Sequence, residues 1–219
     1  MNFVTLLDGP AALIVFGGTM LATVLRCGWR DCVSAVRAVG TIGDSRFDAD
    51  GVRAELAVQI QEIQRDGILR AAPHAFGDRE FDEVTGTLIR RRSVAALLAA
   101  HEEHKARRRA HNDVPVRTFA QAAELAPVFG LAGTLLSLTQ LPPSGVSSAD
   151  YATTISMAVL ATLYGLLFSN LMLAPLARIL GRAAETEEAA RQAVVDWLAR
   201  QVSADLPATR QAPAGRAAA

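Results

Sequence analysis

The sequence predicts an all-α membrane protein: three transmembrane helices, with a helical cytoplasmic domain between the first and the second. Three observations carry this. First, Leu125 to Ala177 reads as two apolar segments around a short polar break, PPSGVSSAD, and its only ionisable side chains are Asp150 and two tyrosines. Second, the N-terminus carries another apolar run, Ala11–Leu25. Third, the charge is segregated. Of 22 Lys and Arg, 16 lie between Arg26 and Arg117, 6 lie from Arg178 onward, and none lies in 1–25 or 118–177. Positive charge marks the cytoplasmic side of a membrane protein. The N-terminus and the 142–150 turn are therefore expected outside, and 26–117 and 178–219 inside. A net charge of zero argues against nucleic acid as a partner.

Residues 1–25 form the first expected span. A secretory signal has basic residues before its apolar run; here Arg26 and Arg30 follow it, as in an uncleaved span. Asp8 is a candidate N-cap, and Pro10 sits where a first helical turn tolerates proline. The uninterrupted run is short for a span and draws length from Met1–Leu7 or from snorkelling beyond Arg26. Gly17, Gly18 and Thr19 would let a second helix approach closely. Cys27 and Cys32 are expected to be free thiols.

Residues 26–117 form the expected cytoplasmic domain. Trp29 and Arg30 suit an interfacial anchor. Asp44–Gly51 reads as a loop. Val52, Leu56, Ile60 and Ile63 recur at helical spacing, predicting a helix to about Arg65 that Gly67 and Pro73 end. A second helix is expected from near Asp82 to about Arg109, with Val84, Leu88, Val94, Leu97 and Leu98 as its apolar members. Within HEEHKARRRAH, His101 and His104 are one helical turn apart. However, HEEH is not HExxH and no third ligand is evident, so no metal is expected. The Arg107–Arg109 cluster reads mainly as a solvated, topology-setting face, with anionic lipid or an acidic protein as the other reading.

Residues 118–177 form the expected transmembrane hairpin. Thr118–Leu141 is 24 residues, about 36 Å of helix at ~1.5 Å per residue. Tyr151–Ala177 is 27 residues, enough to span with tilt. On a helical wheel, Ala126, Gly130, Gly133, Thr134 and Ser137 share one stripe of the first arm. Thr154, Ala158, Ala161, Thr162, Gly165 and Ser169 share one stripe of the second. Small, hydroxyl-bearing stripes pack helices tightly; alternatively, their hydroxyls line a narrow polar path. Membrane helices that move protons usually carry a carboxylate or His at depth. Here only Glu124 comes close, at one end, so a proton path would need its carboxylate from another polypeptide. Nothing in the sequence forms a phosphate loop, a nucleophile–base pair or a dinucleotide fingerprint, so neither enzymatic activity nor a cofactor is expected. Residues 178–219 read as a helix, Glu185–Val202, continuing the last span, then a disordered tail from Pro207.

APVFGLAGTLLSL at 126–138, MAVLATLYGLLFSNLMLAPLA at 157–177 and LDGPAALIVFGGTMLATVLR at 7–26 resemble the MotA/TolQ/ExbB proton-channel family, and within it the MotA-type flagellar stator members. The resemblance implies a multi-pass protein of the bacterial inner membrane, N-terminus outside and C-terminus inside. It implies a homo-oligomer, a pentamer, around a single-helix partner of the MotB, ExbD or TolR type. The partner's aspartate carries the proton, flow turns the outer ring, and a flagellar rotor is a further possible contact. By position, Thr134 and Thr162 resemble the pore threonines. Pro127 and Pro175 resemble the prolines near the cytoplasmic helix ends, each removing a backbone bond and permitting a coupling kink. Gly130, Gly133, Ala158 and Gly165 form the packing stripe.

Two departures stand out. MotA-type members usually have four membrane helices, whereas this chain starts at what resembles the second, giving three as in ExbB and TolQ. The rotor-contact pattern RxxGxxxxE meets QRDGILRAAP, in which Arg65 is one place off and Ala72 stands where Glu is expected; Arg90–Arg92 with Glu102 and Glu103 are candidate substitutes. Three readings follow: a proton-channel subunit of a flagellar-type motor, an ExbB/TolQ-like energiser of an envelope transport system, or a non-conducting membrane scaffold.

Overall fold

A computed structural model describes residues 9–42, 47–66, 77–139 and 148–203, and these are helical apart from short connections. Helix α1 is Gly9–Cys27, with a π-helical turn over Leu13–Gly17. Helix α2 is Trp29–Gly40, α3 Ala49–Asp66, α4 Arg79–Arg91 and α5 Val94–Thr139. Helix α6 runs through Ser148–Leu167, a π-helical turn Phe168–Leu173, and Ala174–Ser203. Helices α1, α5 and α6 each contain a stretch long and apolar enough to cross a bilayer. The chain is thus an all-α, multi-pass membrane protein.

The chain divides into two compact units. The membrane unit comprises α1, α2, α5 from Ala110 and α6 to Glu185; the helical unit comprises α3, α4, α5 to Arg109 and α6 from Thr186.

In the helical unit, Leu56 and Ile60 of α3, Phe81, Val84 and Leu88 of α4, Leu97 of α5, and Val194, Val195, Leu198 and Val202 of α6 form one core. Each fully buried side chain of this kind contributes roughly 1.5–3 kcal/mol. Of the positions that the helical periodicity picks out, Leu56, Ile60, Val84, Leu88 and Leu97 enter this core, whereas Val52, Val94 and Leu98 stay outside the buried set; Phe81 and the four α6 residues are core members the periodicity does not name.

Two expectations need correction. The single helix from Asp82 to Arg109 is two helices. Asp78 caps α4 by accepting from the Glu80 N–H at 2.9 Å, and the chain turns at Arg92, whose φ of 51° is left-handed. Ser93 then accepts from the Ala96 N–H and opens α5. The loop Asp44–Gly51 is also shorter than expected. Asp48 accepts the Gly51 N–H at 2.9 Å, and this cap starts α3 at Ala49.

The helix expected to begin at Tyr151 begins at Ser148. Helix α5 runs without a break through Thr118, and α6 continues without interruption through Glu185–Val202. Cys27 and Cys32 are free, and Cys27 Sγ donates to Gln121 Oε1 at 2.9 Å. Met1–Leu7, the Asp8 cap, Asp44–Arg46, Gly67, Ala72, Pro73, the 142–147 turn and the tail from Pro207 lie outside the described residues.

Candidate functional site

The two arms of the hairpin meet on their small residues, all within the membrane unit. A methyl group added at Gly165 would lie 2.6 Å from the Ala126 carbonyl oxygen and 3.0 Å from Gly130 Cα. At Gly130 it would lie 3.1 Å from the Ala161 oxygen, and at Gly133 3.0 Å from Ala161 Cβ. Ala126, Ala158 and Ala161 are buried in the same seam. At Gly165 and Gly130 glycine is required because backbone occupies the space a Cβ would need, whereas at Gly133 the neighbour is the Ala161 methyl group. The bulky residues of the other faces, among them Leu131, Leu135, Val159 and Leu171, are exposed, as a lipid- or subunit-facing surface requires.

Thr134 and Thr162 meet in this seam. Their hydroxyl oxygens are 2.6 Å apart, and the Thr134 hydroxyl is also 3.1 Å from the Ala158 carbonyl oxygen. Either hydroxyl can donate to the other, and the one whose proton is not used between them has a carbonyl to donate to: Gly130 or Ala158 at 3.1 Å from Thr134, or Ala158 at 3.4 Å from Thr162. Both threonines stay partly exposed, so the pair is a polar spot on the edge of an otherwise apolar seam.

Pro127 lies inside α5, which remains helical through it. Having no N–H, it leaves the Ala123 carbonyl without its helical donor. Ser169 of α6 supplies one, its hydroxyl donating to the Ala123 oxygen at 2.6 Å. The helix defect thus becomes a bond between the two arms. Pro175 follows the π-helical turn Phe168–Leu173, where the Ala174 N–H reaches back to the Ser169 oxygen.

Helix α1 packs on the same hairpin. Ala11 and Val15 are buried with Ala161, and Phe16 meets Phe168 edge-on at 4.6 Å between ring centres. Gly18 lies directly under the Phe129 ring. Thr19 and Thr23 are buried and donate to the Val15 and Thr19 carbonyls one turn back, which lets hydroxyls sit in an apolar interface.

The helical unit places the histidines elsewhere. His101 is fully buried. Its Nδ1 is 2.8 Å from Glu80 Oε1, and its Nε2 is 3.1 Å from Gln192 Oε1. His104 is 2.8 Å from Glu83. The two therefore clamp α5 to α4 through different carboxylates. Arg108 is drawn inward rather than solvated: it pairs with Glu80 and, through two bonds of 3.0 Å, with Glu188. Arg191 bonds Asp78 at 2.8 Å, Glu80 at 2.9 Å and Glu187 at 2.9 Å. Its guanidinium stacks over Phe47 at 4.3 Å. Burial opposes the charge of Arg191, but these carboxylates outweigh it and raise its pKa.

This network was only half legible. HEEHKARRR announces a polar helix face, but nothing local distinguishes the inward Arg108 from the outward Arg107 and Arg109. The signal was available as helical phase: Leu97, His101 and Arg108 fall at i, i+4 and i+11, along the apolar stripe.

Residues 71–193 match the MotA/TolQ/ExbB proton channel family. The chain belongs to this family. The motility protein A of Cereibacter sphaeroides is 24% identical over 203 residues, covering 87% of this chain and 76% of that protein. The uncharacterized protein YtxD of Bacillus subtilis is 30% identical over 118 residues, covering 54% of this chain and 39% of its own length. In three dimensions the chain resembles a chain of the flagellar MotAB stator complex of Bacillus subtilis, with a TM-score of 0.78 at 18% identity over 94% of this chain and 83% of that one. A chain of the C. jejuni MotAB structure gives 0.78 at 16% identity over 94% and 82%. The family resemblance read from the hairpin motifs is therefore correct, and the fold is shared with these stator chains.

Proposed function

We propose that the chain is the outer, proton-channel subunit of an ion-driven membrane motor of the flagellar stator type. In this reading it lies in the bacterial inner membrane with its N-terminus outside and C-terminus inside. Five copies surround a single-helix partner, whose aspartate takes up and releases the proton beside the Thr134–Thr162 pair. The supporting observation is that pair itself: two hydroxyls at the edge of a seam in a hairpin with no His, Glu, Lys or Arg between Leu125 and Ala177. Hydroxyls can solvate a proton carrier, but they do not titrate at neutral pH and cannot be one. Pro127 and the Ser169–Ala123 bond form the coupling element, since a helix that bends there exchanges that bond for water or for a shifted partner.

A second reading is the same machine serving an envelope transport system, with an ExbD- or TolR-type partner. Ala72 in place of the rotor-contact glutamate favours it. The test is co-purification in mild detergent with candidate single-helix partners, reading stoichiometry by native mass spectrometry. A ring holding a few partner chains supports the motor, and the partner's identity decides between flagellum and envelope. A ring or monomer that retains no partner overturns both readings and leaves the non-conducting scaffold.

A further inference from the structure

We propose that the groove between α2 and the start of the membrane part of α5 binds the headgroup phosphate of an anionic glycerophospholipid, with Arg30 and Arg37 as its cationic ligands. The groove lies wholly within the membrane unit and has a volume of about 530 Å³. Trp29, Arg30, Val33 and Arg37 line it from α2, and His111 and Pro115 from α5.

The local sequence explains its form. Helix α1 ends at Cys27, and Gly28, with φ 90°, adopts a conformation that favours glycine and turns the chain. Helix α2 therefore starts within two residues of the end of a membrane span. Its residues 30, 33, 34 and 37 recur at helical spacing and bring Arg30 and Arg37 to the same side. Trp29 is 70% exposed, and Val36, one heptad on, is exposed beside it. An exposed tryptophan at the end of a span marks the headgroup level of a bilayer.

Charge identifies the occupant. No acidic residue lines the groove. Arg30 and Arg37 form no salt bridge among the described residues, whereas Arg26 faces Glu124 at 4.0 Å and Arg108 and Arg191 are fully engaged. Asn112 and Ser34 add neutral donors. Two free guanidiniums above an apolar floor of Val33, Trp29 and Pro115 match a lipid phosphate with its glycerol and upper acyl chain. A free anion would leave that floor uncovered. The inference requires only that α1 spans the membrane, and it stands whether or not the hairpin conducts protons.

The test uses the full chain in mild detergent with equal amounts of phosphatidylglycerol and phosphatidylcholine, bound lipid being read by native mass spectrometry. Phosphatidylglycerol is expected to be retained preferentially. Its retention is expected to fall about fivefold for each arginine changed to glutamine, in Arg30→Gln and Arg37→Gln, the factor that ~1 kcal/mol per surface cation represents. Arg30→Lys with Arg37→Lys keeps most of it, and Arg200→Gln, exposed on α6, leaves it unchanged. The single variants carry the test where the double glutamine variant is not recovered. Unchanged retention in the glutamine variants, or equal retention of phosphatidylcholine, overturns the proposal. Displacement by excess inorganic phosphate overturns it in favour of a free-anion site. Loss of oligomer in the glutamine variants with lipid retention unchanged overturns it in favour of a second copy of the chain covering the groove.

Discussion

Glu80 and His101, 21 residues apart and on different helices, meet at 2.8 Å in the interior of the helical unit. The Glu80 carboxylate also accepts from Arg108 and Arg191, so one acidic side chain joins α4, α5 and α6. Gln192 helps hold the histidine. Its Oε1 accepts from Lys105 at 2.8 Å and its amide nitrogen donates to Asp196 at 3.0 Å. The carbonyl end, which accepts, is thereby turned toward the ring.

Replacing Glu80 by glutamine is expected to destabilise the helical unit by about 3 kcal/mol, because two guanidiniums are left in the interior with one anion fewer. Thermal unfolding followed by the fluorescence of Trp197, which packs on the core, measures it. His101→Ala should act in the same direction with a smaller effect. A Glu80→Gln variant that melts with the wild type would mean that the network is solvated in the working protein.

The same carboxylate sets an acid limit. Burial alone would raise its pKa, but the hydrogen bond from His101 and the charges of Arg108 and Arg191 outweigh burial and hold it below the ordinary value of 4.5. The folded unit therefore binds this proton less readily than the unfolded chain. Its stabilising contribution is complete above pH 4.5 and is lost as pH falls through the depressed folded value. Melting temperature against pH should drop on the acid side in the wild type, and this part of the drop should vanish in Glu80→Gln.

Gly165→Ala is expected to force the hairpin arms apart, since the new methyl would meet the Ala126 carbonyl oxygen at 2.6 Å. Overpacking of this kind costs about 1–3 kcal/mol. The expected outcome is loss of the oligomer on native gels while helical content, by circular dichroism, is preserved. Gly181, with nothing within 4 Å of an added methyl, should accept alanine without change.

Thr134→Val with Thr162→Val keeps the shape of the seam and removes both hydroxyls. If the pair solvates the proton carrier, proton flux in liposomes or cells should fall by at least tenfold, about 1.4 kcal/mol on the barrier, with the assembly intact. Thr134→Ser with Thr162→Ser should keep most of the flux. Undiminished flux in the valine variant would assign the pair to packing alone.

The fold class was readable because it depends on quantities the chain carries locally. Runs of apolar residues, placement of Lys and Arg, and the recurrence of Gly, Ala and Thr at helical spacing predict spans, hairpin and small-residue stripe. The helix boundaries at Asp48 and Arg92 were less readable. A cap or a left-handed turn depends on one hydrogen bond, and the apolar period runs through both sites undisturbed. The hairpin stripe named its members, yet the wheel could not say whether Thr134 and Thr162 would face each other or a third helix.

By itself the sequence determined that the chain crosses a membrane, which residues form the close-packed seam, and that the seam lacks a titrating group. These follow from composition and period, since burial in lipid or against a helix selects residue type position by position. Only the tertiary structure decided which charges are spent and which are free. Arg108 and Arg191 end in a buried network, Arg30 and Arg37 on an open groove, and Ser169 on the carbonyl that Pro127 releases. Such pairings join residues up to 113 positions apart. Their strength depends on the distance and solvent exposure that folding creates, and neither quantity is written in the local order of the residues.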